Sequence, residues 1–136
     1  MGRKLLAILG SAVLAGSMLA GTARAVTMPP PYGHVLLTIH QGETTSGPVL
    51  AEAELWCNSD GGTHPDPAAA CAALGAAGGD PANIPPTPGF CTMQYDPVTA
   101  VAQGYWQGGV QTISFQQTYG NACVLHHAKT PLFDIF

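Results

Sequence analysis

Four kinds of side chain in this sequence could do chemistry, and their spacing decides which of them can. Cys57, Cys71, Cys91 and Cys123 could bind zinc or pair as disulfides. A zinc set needs close ligand pairs, yet there is no Cys-x-x-Cys and the intervening gaps are 13, 19 and 31 residues. An even cysteine count behind a secretory leader reads instead as two disulfides, with three connectivities open and sequential pairing the simplest. Beyond the leader only Ser46, Ser59 and Ser114 offer hydroxyl nucleophiles of the serine type, and none sits in a Gly-x-Ser-x-Gly turn. Glu52 and Glu54 fall two apart on a strand, which sets them about 7 Å apart like a carboxylate pair. An ordinary solvated strand face accounts for them far better, since glutamate is usually exposed. His126 and His127 are neighbours and cannot both face one ion from a regular helix. His34 and His40 share a strand face at a distance, and His64 precedes Pro65 in a turn. No catalytic set stands out, no spacing resembles a metal-ligand set, and no cofactor is expected.

One further residue stands out in "FCTMQYDPV" (90–98). Met93 follows Cys91 by two positions, after the proline-broken stretch "PANIPPTPG". Methionine usually belongs to a core. Pro85, Pro86, Pro88 and Gly89 nevertheless keep the preceding chain out of any sheet, which makes 84–95 a surface loop. Cys91 would fasten one end of that loop, and Gln94 would begin a strand at the other. A rigid, extended loop with an apolar tip is what a protease would attempt to cleave.

The elements that must hold this loop are legible from pattern. "HVLLTIHQ" (34–41) is β-branched and bounded by glycines, a strand. "VLAEAELWC" (49–57) alternates Ala51, Ala53 and Leu55 against Glu52, Glu54 and Trp56. Asp66 caps and Pro67 opens an alanine-rich helix that carries Cys71 and stops at Gly78-Gly79. "YDPVTAVAQGYWQG" and "VQTISFQQTY" are strands joined through Gly108-Gly109. "NACVLHHA" is a short helix, and "LFDIF" a terminal strand with Leu132, Asp134 and Phe136 on one side. Mostly antiparallel strands with few helices give an α+β single domain.

The first 25 residues are a secretory signal: a basic start, a short apolar run with glycines, and Ala23-Arg24-Ala25 as the cleavage site. Residues 26–33, with three consecutive prolines, form a flexible arm, and 34–136 the domain. Removing the signal takes Arg3, Lys4 and Arg24, so one lysine (Lys129) against eight acids leaves a formal charge of −7. Such a chain cannot bind nucleic acid or an anionic membrane surface.

"CTMQYDPVTAVAQGYWQG", "TYGNAC", "CNSDGGTHPDPAAACAALGAAGGDP" and "VLLTIHQGE" together resemble the Streptomyces subtilisin inhibitor family over residues 34–136. The resemblance implies a five-stranded antiparallel sheet with two helices, dimerising through sheet faces, and disulfides Cys57–Cys71 and Cys91–Cys123. It implies secretion, action on extracellular subtilisin-like serine proteases, extending to chymotrypsin-like ones, and no enzymatic activity. It puts the reactive bond between Met93 and Gln94, with Thr92, Cys91 and Phe90 on one side and Tyr95 on the other. Asn121 would stand behind the loop as its support, while an ordinary turn or helix N-cap accounts for an asparagine there almost as well. The chain departs from the family pattern in a longer stretch from Trp106 to Cys123, in Tyr119 where Phe is usual, and in Asp134 near the end.

Overall fold

The computed structural model describes residues 32–136, and Gly21 alone before them. The secretory signal and residues 26–31 of the arm lie outside the described residues. Strands β1 (Gly33–Gln41), β2 (Val49–Cys57), β3 (Gly61–Gly62), β4 (Val98–Trp106) and β5 (Gln111–Tyr119) form one antiparallel sheet in the order β3-β2-β1-β4-β5. Helix α1 (Pro67–Ala76) and helix α2 (Ala122–Lys129) complete the fold, as the α+β reading with five strands and two helices anticipated.

Alternation in β1 sends Val35, Leu37 and Ile39 to one face, each fully buried. Cross-strand register aligns Leu55, Ala102 and Ala100 with them, and Ile113 beyond. Ala70 and Leu74 from α1, Leu125 from α2, and Leu132 and Phe133 close this core. Each large aliphatic side chain so buried contributes roughly 1.5–3 kcal/mol.

Asp66 caps α1, its Oδ1 accepting from the Ala69 N–H at 3.2 Å. Gly79 ends the helix with φ +79°, and a Cβ there would come within 2.5 Å of the Trp106 ring. Only glycine lets the chain turn so close under that indole. Cys57 at the end of β2 bonds to Cys71 in α1 across a Cα separation of 5.6 Å. His64 is buried in the turn before α1. Its Nδ1 accepts from the Asp66 N–H at 3.0 Å, and its Nε2–H donates to the Leu132 carbonyl at 3.0 Å. It ties the turn to the C-terminal segment.

Two expectations about strands need correction. "LFDIF" is not a strand: Leu132 and Phe133, adjacent in sequence, both enter the core, which the alternation of a strand forbids. Residues 131–133 turn on from α2, Phe133 N–H reaching the Lys129 carbonyl at 3.4 Å. Asp134 accepts hydrogen bonds from His126 and Thr130, and Phe136 is exposed. Nor does Gln94 begin a strand. Pro97 has no N–H to give a ladder, so β4 starts at Val98 and 94–97 remain loop. After Trp106 the chain makes a 3₁₀ turn at Gln107–Gly109, where Gln107, Gly108 and Gly109 all have positive φ.

Candidate functional site

Three side chains, Phe90, Met93 and Tyr95, project from one stretch of irregular chain, and Met93 is 97% exposed. An apolar residue so completely in water has no role in packing. The core placement of Met93 is thereby excluded. What matters is how the backbone beneath it is held.

Its N-terminal side is fastened to α2. Cys91 and Cys123 are disulfide-bonded with Cα atoms 5.8 Å apart. The Thr87 N–H donates to the His127 carbonyl at 2.7 Å. Gly89 lies so close over the His127 imidazole that a Cβ would stand 1.9 Å from a ring carbon. Further back, the Lys129 ammonium donates to the carbonyls of Ala82 (3.2 Å) and Ile84 (3.1 Å) and sits 5.7 Å from the Phe115 ring centroid. Burial lowers the pKa of this lysine below the ordinary value, while Asp80 pulls the other way. The one cation of the domain is thus a buried strut under the loop.

The C-terminal side is fastened elsewhere. The Asp96 N–H donates to the Gly120 carbonyl at 2.9 Å, and Gln41 Nε2 to Asp96 Oδ1 at 2.7 Å. The Tyr95 hydroxyl bonds the Glu43 carboxylate in the turn after β1.

Asn121 joins the two sides. Its Nδ2 donates to the Thr92 carbonyl at 3.1 Å and the Gln94 carbonyl at 2.9 Å. Its Oδ1 accepts from the Val124 N–H at 3.0 Å, capping α2. An asparagine can do both because its amide carries an acceptor and two donors. The carbonyls of Thr92 and Gln94 point at the same amide, so an extended chain turns the Met93 carbonyl between them outward. The carbonyls on either side of Met93 are thus held by a single side chain.

The disulfides fall as the resemblance implied. Glu52 and Glu54 form no catalytic pair: both are exposed, and Glu54 stands 3.4 Å from His34 Nε2. The described residues bring together Cys91, Cys123 and His127, and likewise Cys57, Asp60 and Cys71, at ligand-like distances. In both, the sulfurs are bonded to each other and offer no thiolate. Sequence reasoning missed Gln41, Glu43, Thr87, His127 and Lys129 as loop supports. Only Lys129 carried a signal, as a solitary cation in an acidic chain. Tyr119, the substitution noted above, is buried, its hydroxyl donating to Gln117 Oε1 at 3.0 Å, and burial raises its pKa to about 12.

The family model described as subtilisin inhibitor-like matches residues 32–121. Subtilisin inhibitor-like protein 1 of Streptomyces cacaoi is 42% identical over 103 residues, covering 73% of this chain and 92% of that protein. A subtilase-type protease inhibitor of Streptomyces fradiae is 37% identical over 135 residues, covering 96% and 94%. Among solved structures, Streptomyces caespitosus sermetstatin in complex with Bacillus licheniformis subtilisin superposes with a TM-score of 0.63 at 31% identity, covering 74% of this chain and 96% of that one.

Proposed function

The chain belongs to the subtilisin inhibitor-like family, and on that premise we propose that it inhibits subtilisin-like serine proteases by offering Met93–Gln94 as a substrate-like bond. The observation that carries this is the near-complete exposure of Met93 on a backbone fastened at both flanks. A protease binds substrate as an extended strand, and a loop already extended avoids much of the ordering cost of binding. Met93 fills the primary pocket, where an unbranched thioether adapts well. Phe90 takes a second apolar pocket three residues upstream. Apolar anchors of this kind suit chymotrypsin-like enzymes as well.

The protease serine attacks the outward Met93 carbonyl, whose oxygen enters the oxyanion hole. Hydrolysis then requires the Gln94 amine to depart. It stays, because Gln94 is held through its carbonyl by Asn121 and the next residues by Gly120 and Gln41. Cys91 is tethered independently to α2. The severed ends remain in register and religation competes with water.

Residues 1–25 act as a secretory signal in this reading, 26–33 as an arm, and the mature inhibitor is extracellular. It dimerises through the sheet face away from the helices, where Leu36 and Trp56 lie; light scattering on the purified protein measures that. Inhibition is tested by titrating subtilisin and trypsin at known molar ratios and sequencing any slowly cleaved inhibitor. Stoichiometric loss of subtilisin activity, weak action on trypsin and a new N terminus at Gln94 are expected. Cleavage at another bond, or no inhibition, would overturn the assignment.

A further inference from the structure

The clustering of Cys91, Cys123 and His127 has a chemical meaning that the disulfide conceals. One imidazole nitrogen and the two sulfurs lie within 4.8 Å of one another, and all three residues are half-buried, within reach of solvent. We propose that the dithiol form of this protein binds one zinc ion through Cys91, Cys123 and His127, so that a metal bridge replaces the covalent one.

The geometry allows it with little movement. A tetrahedral zinc with bonds of about 2.3 Å to sulfur and 2.0–2.1 Å to nitrogen spaces its ligand atoms roughly 3.5–3.8 Å apart. The imidazole nitrogen, within 4.8 Å of both sulfurs, needs to close by about 1 Å at most to reach that spacing, and Cα atoms 5.8 Å apart let the sulfurs separate by side-chain rotation. His127 is not free to swing away. It sits on α2 four residues after Cys123, on the same helical face, with its ring under Gly89 and its carbonyl holding Thr87. Three protein ligands and a solvent-facing fourth position suit zinc with one bound water.

The steps balance as follows. Two equivalents of a small thiol transfer two electrons and two protons to the Cys91–Cys123 bond and leave as their own disulfide. Zinc then displaces both thiol protons and accepts the neutral imidazole. Cys57, Asp60 and Cys71 form a comparable triangle. There both sulfurs are buried in the core, which shields them from reductant and metal alike. The metal site stands whether or not the loop inhibits a protease; only its consequence, a loop kept tethered after reduction, rests on the function proposed above.

The test uses the full domain reduced anaerobically with a phosphine, which is then removed, and titrated with Co²⁺ as a spectroscopic stand-in and with Zn²⁺ in competition. Iodoacetamide mapping identifies which sulfurs were reduced. One Co²⁺ per chain with tetrahedral d–d bands and a thiolate charge-transfer band, displaced by Zn²⁺, is expected. His127→Ala should weaken binding by at least about tenfold. His126→Ala and Asp60→Ala should leave binding unchanged. Should His127→Ala fail to fold, the imidazole resonances of the parent serve instead: His127 alone should shift when diamagnetic Zn²⁺ is added. Absence of a thiolate band, equal affinity in His127→Ala, no shift at His127, or dependence on Asp60 would each overturn the site.

Discussion

Replacing Asn121 by aspartate separates the two tasks that one side chain performs. Aspartate keeps the acceptor that caps α2 at Val124, and at a helix N-terminus its charge is if anything favourable. It removes both donors to the Thr92 and Gln94 carbonyls. Two partly exposed hydrogen bonds at about 0.5–1 kcal/mol each give about 1–2 kcal/mol of lost loop restraint. On the scale of 1.36 kcal/mol per decade this weakens subtilisin binding about 5- to 30-fold. Repulsion between the new carboxylate and the two carbonyls pushes towards the upper figure. Thermal stability should fall in Asn121→Asp by no more than those loop bonds supply, and by about a further 1 kcal/mol in Asn121→Ala, which loses the cap too. The assays are a melting curve, a subtilisin inhibition constant and the rate at which the inhibitor is cleaved. If Asn121→Asp inhibits as tightly as the parent and is cleaved no faster, the bridge between the two sides of the bond does not matter.

Met93→Lys should redirect inhibition from subtilisin to trypsin, since the side chain is exposed and the scaffold beneath it is untouched; paired enzyme titrations measure the switch. Met93→Gly should weaken subtilisin binding by about 1.5–3 kcal/mol for the lost burial in the pocket, read from the same titration. Gly89→Ala should push the His127 ring aside and loosen the loop's N-terminal flank, raising the cleavage rate while the melting point falls only modestly. Tyr119, with its pKa raised to about 12, contributes stability that is fully present below pH 10 and lost as pH rises towards 12. In brief denaturant titrations Tyr119→Phe should flatten that loss, by up to about 2–3 kcal/mol. Lys129, its pKa lowered, works in the opposite sense, so the difference between the two proteins is the readout.

Where a pattern has a period, the sequence was readable: β1, β2 and α1 follow from alternation, capping and glycine stops. The terminal "LFDIF" misled because its alternation is accidental. Leu132 and Phe133 reach the core together from a turn, and the edge positions of the sheet are taken by β3 and β5. At the loop, prolines and a cysteine were enough to mark Met93. Its fastenings were not, because Gln41, Glu43 and His127 are brought there by the fold from positions with no local signature. Asn121 lay open to two interpretations, a cap and a loop support. The structure shows the cap at Val124 together with two donations to loop carbonyls, because one amide can make all three bonds.

That double use of Asn121 makes the first turn of α2 and the shape of the loop a single unit of opening. When the helix start frays, the Val124 amide loses its cap and the carbonyls beside Met93 lose theirs in the same event. The Val124 amide is then a remote gauge: its hydrogen-exchange rate counts the moments at which the loop is slack. How long a bound protease stays silenced can, on this account, be read from a backbone proton that never touches it.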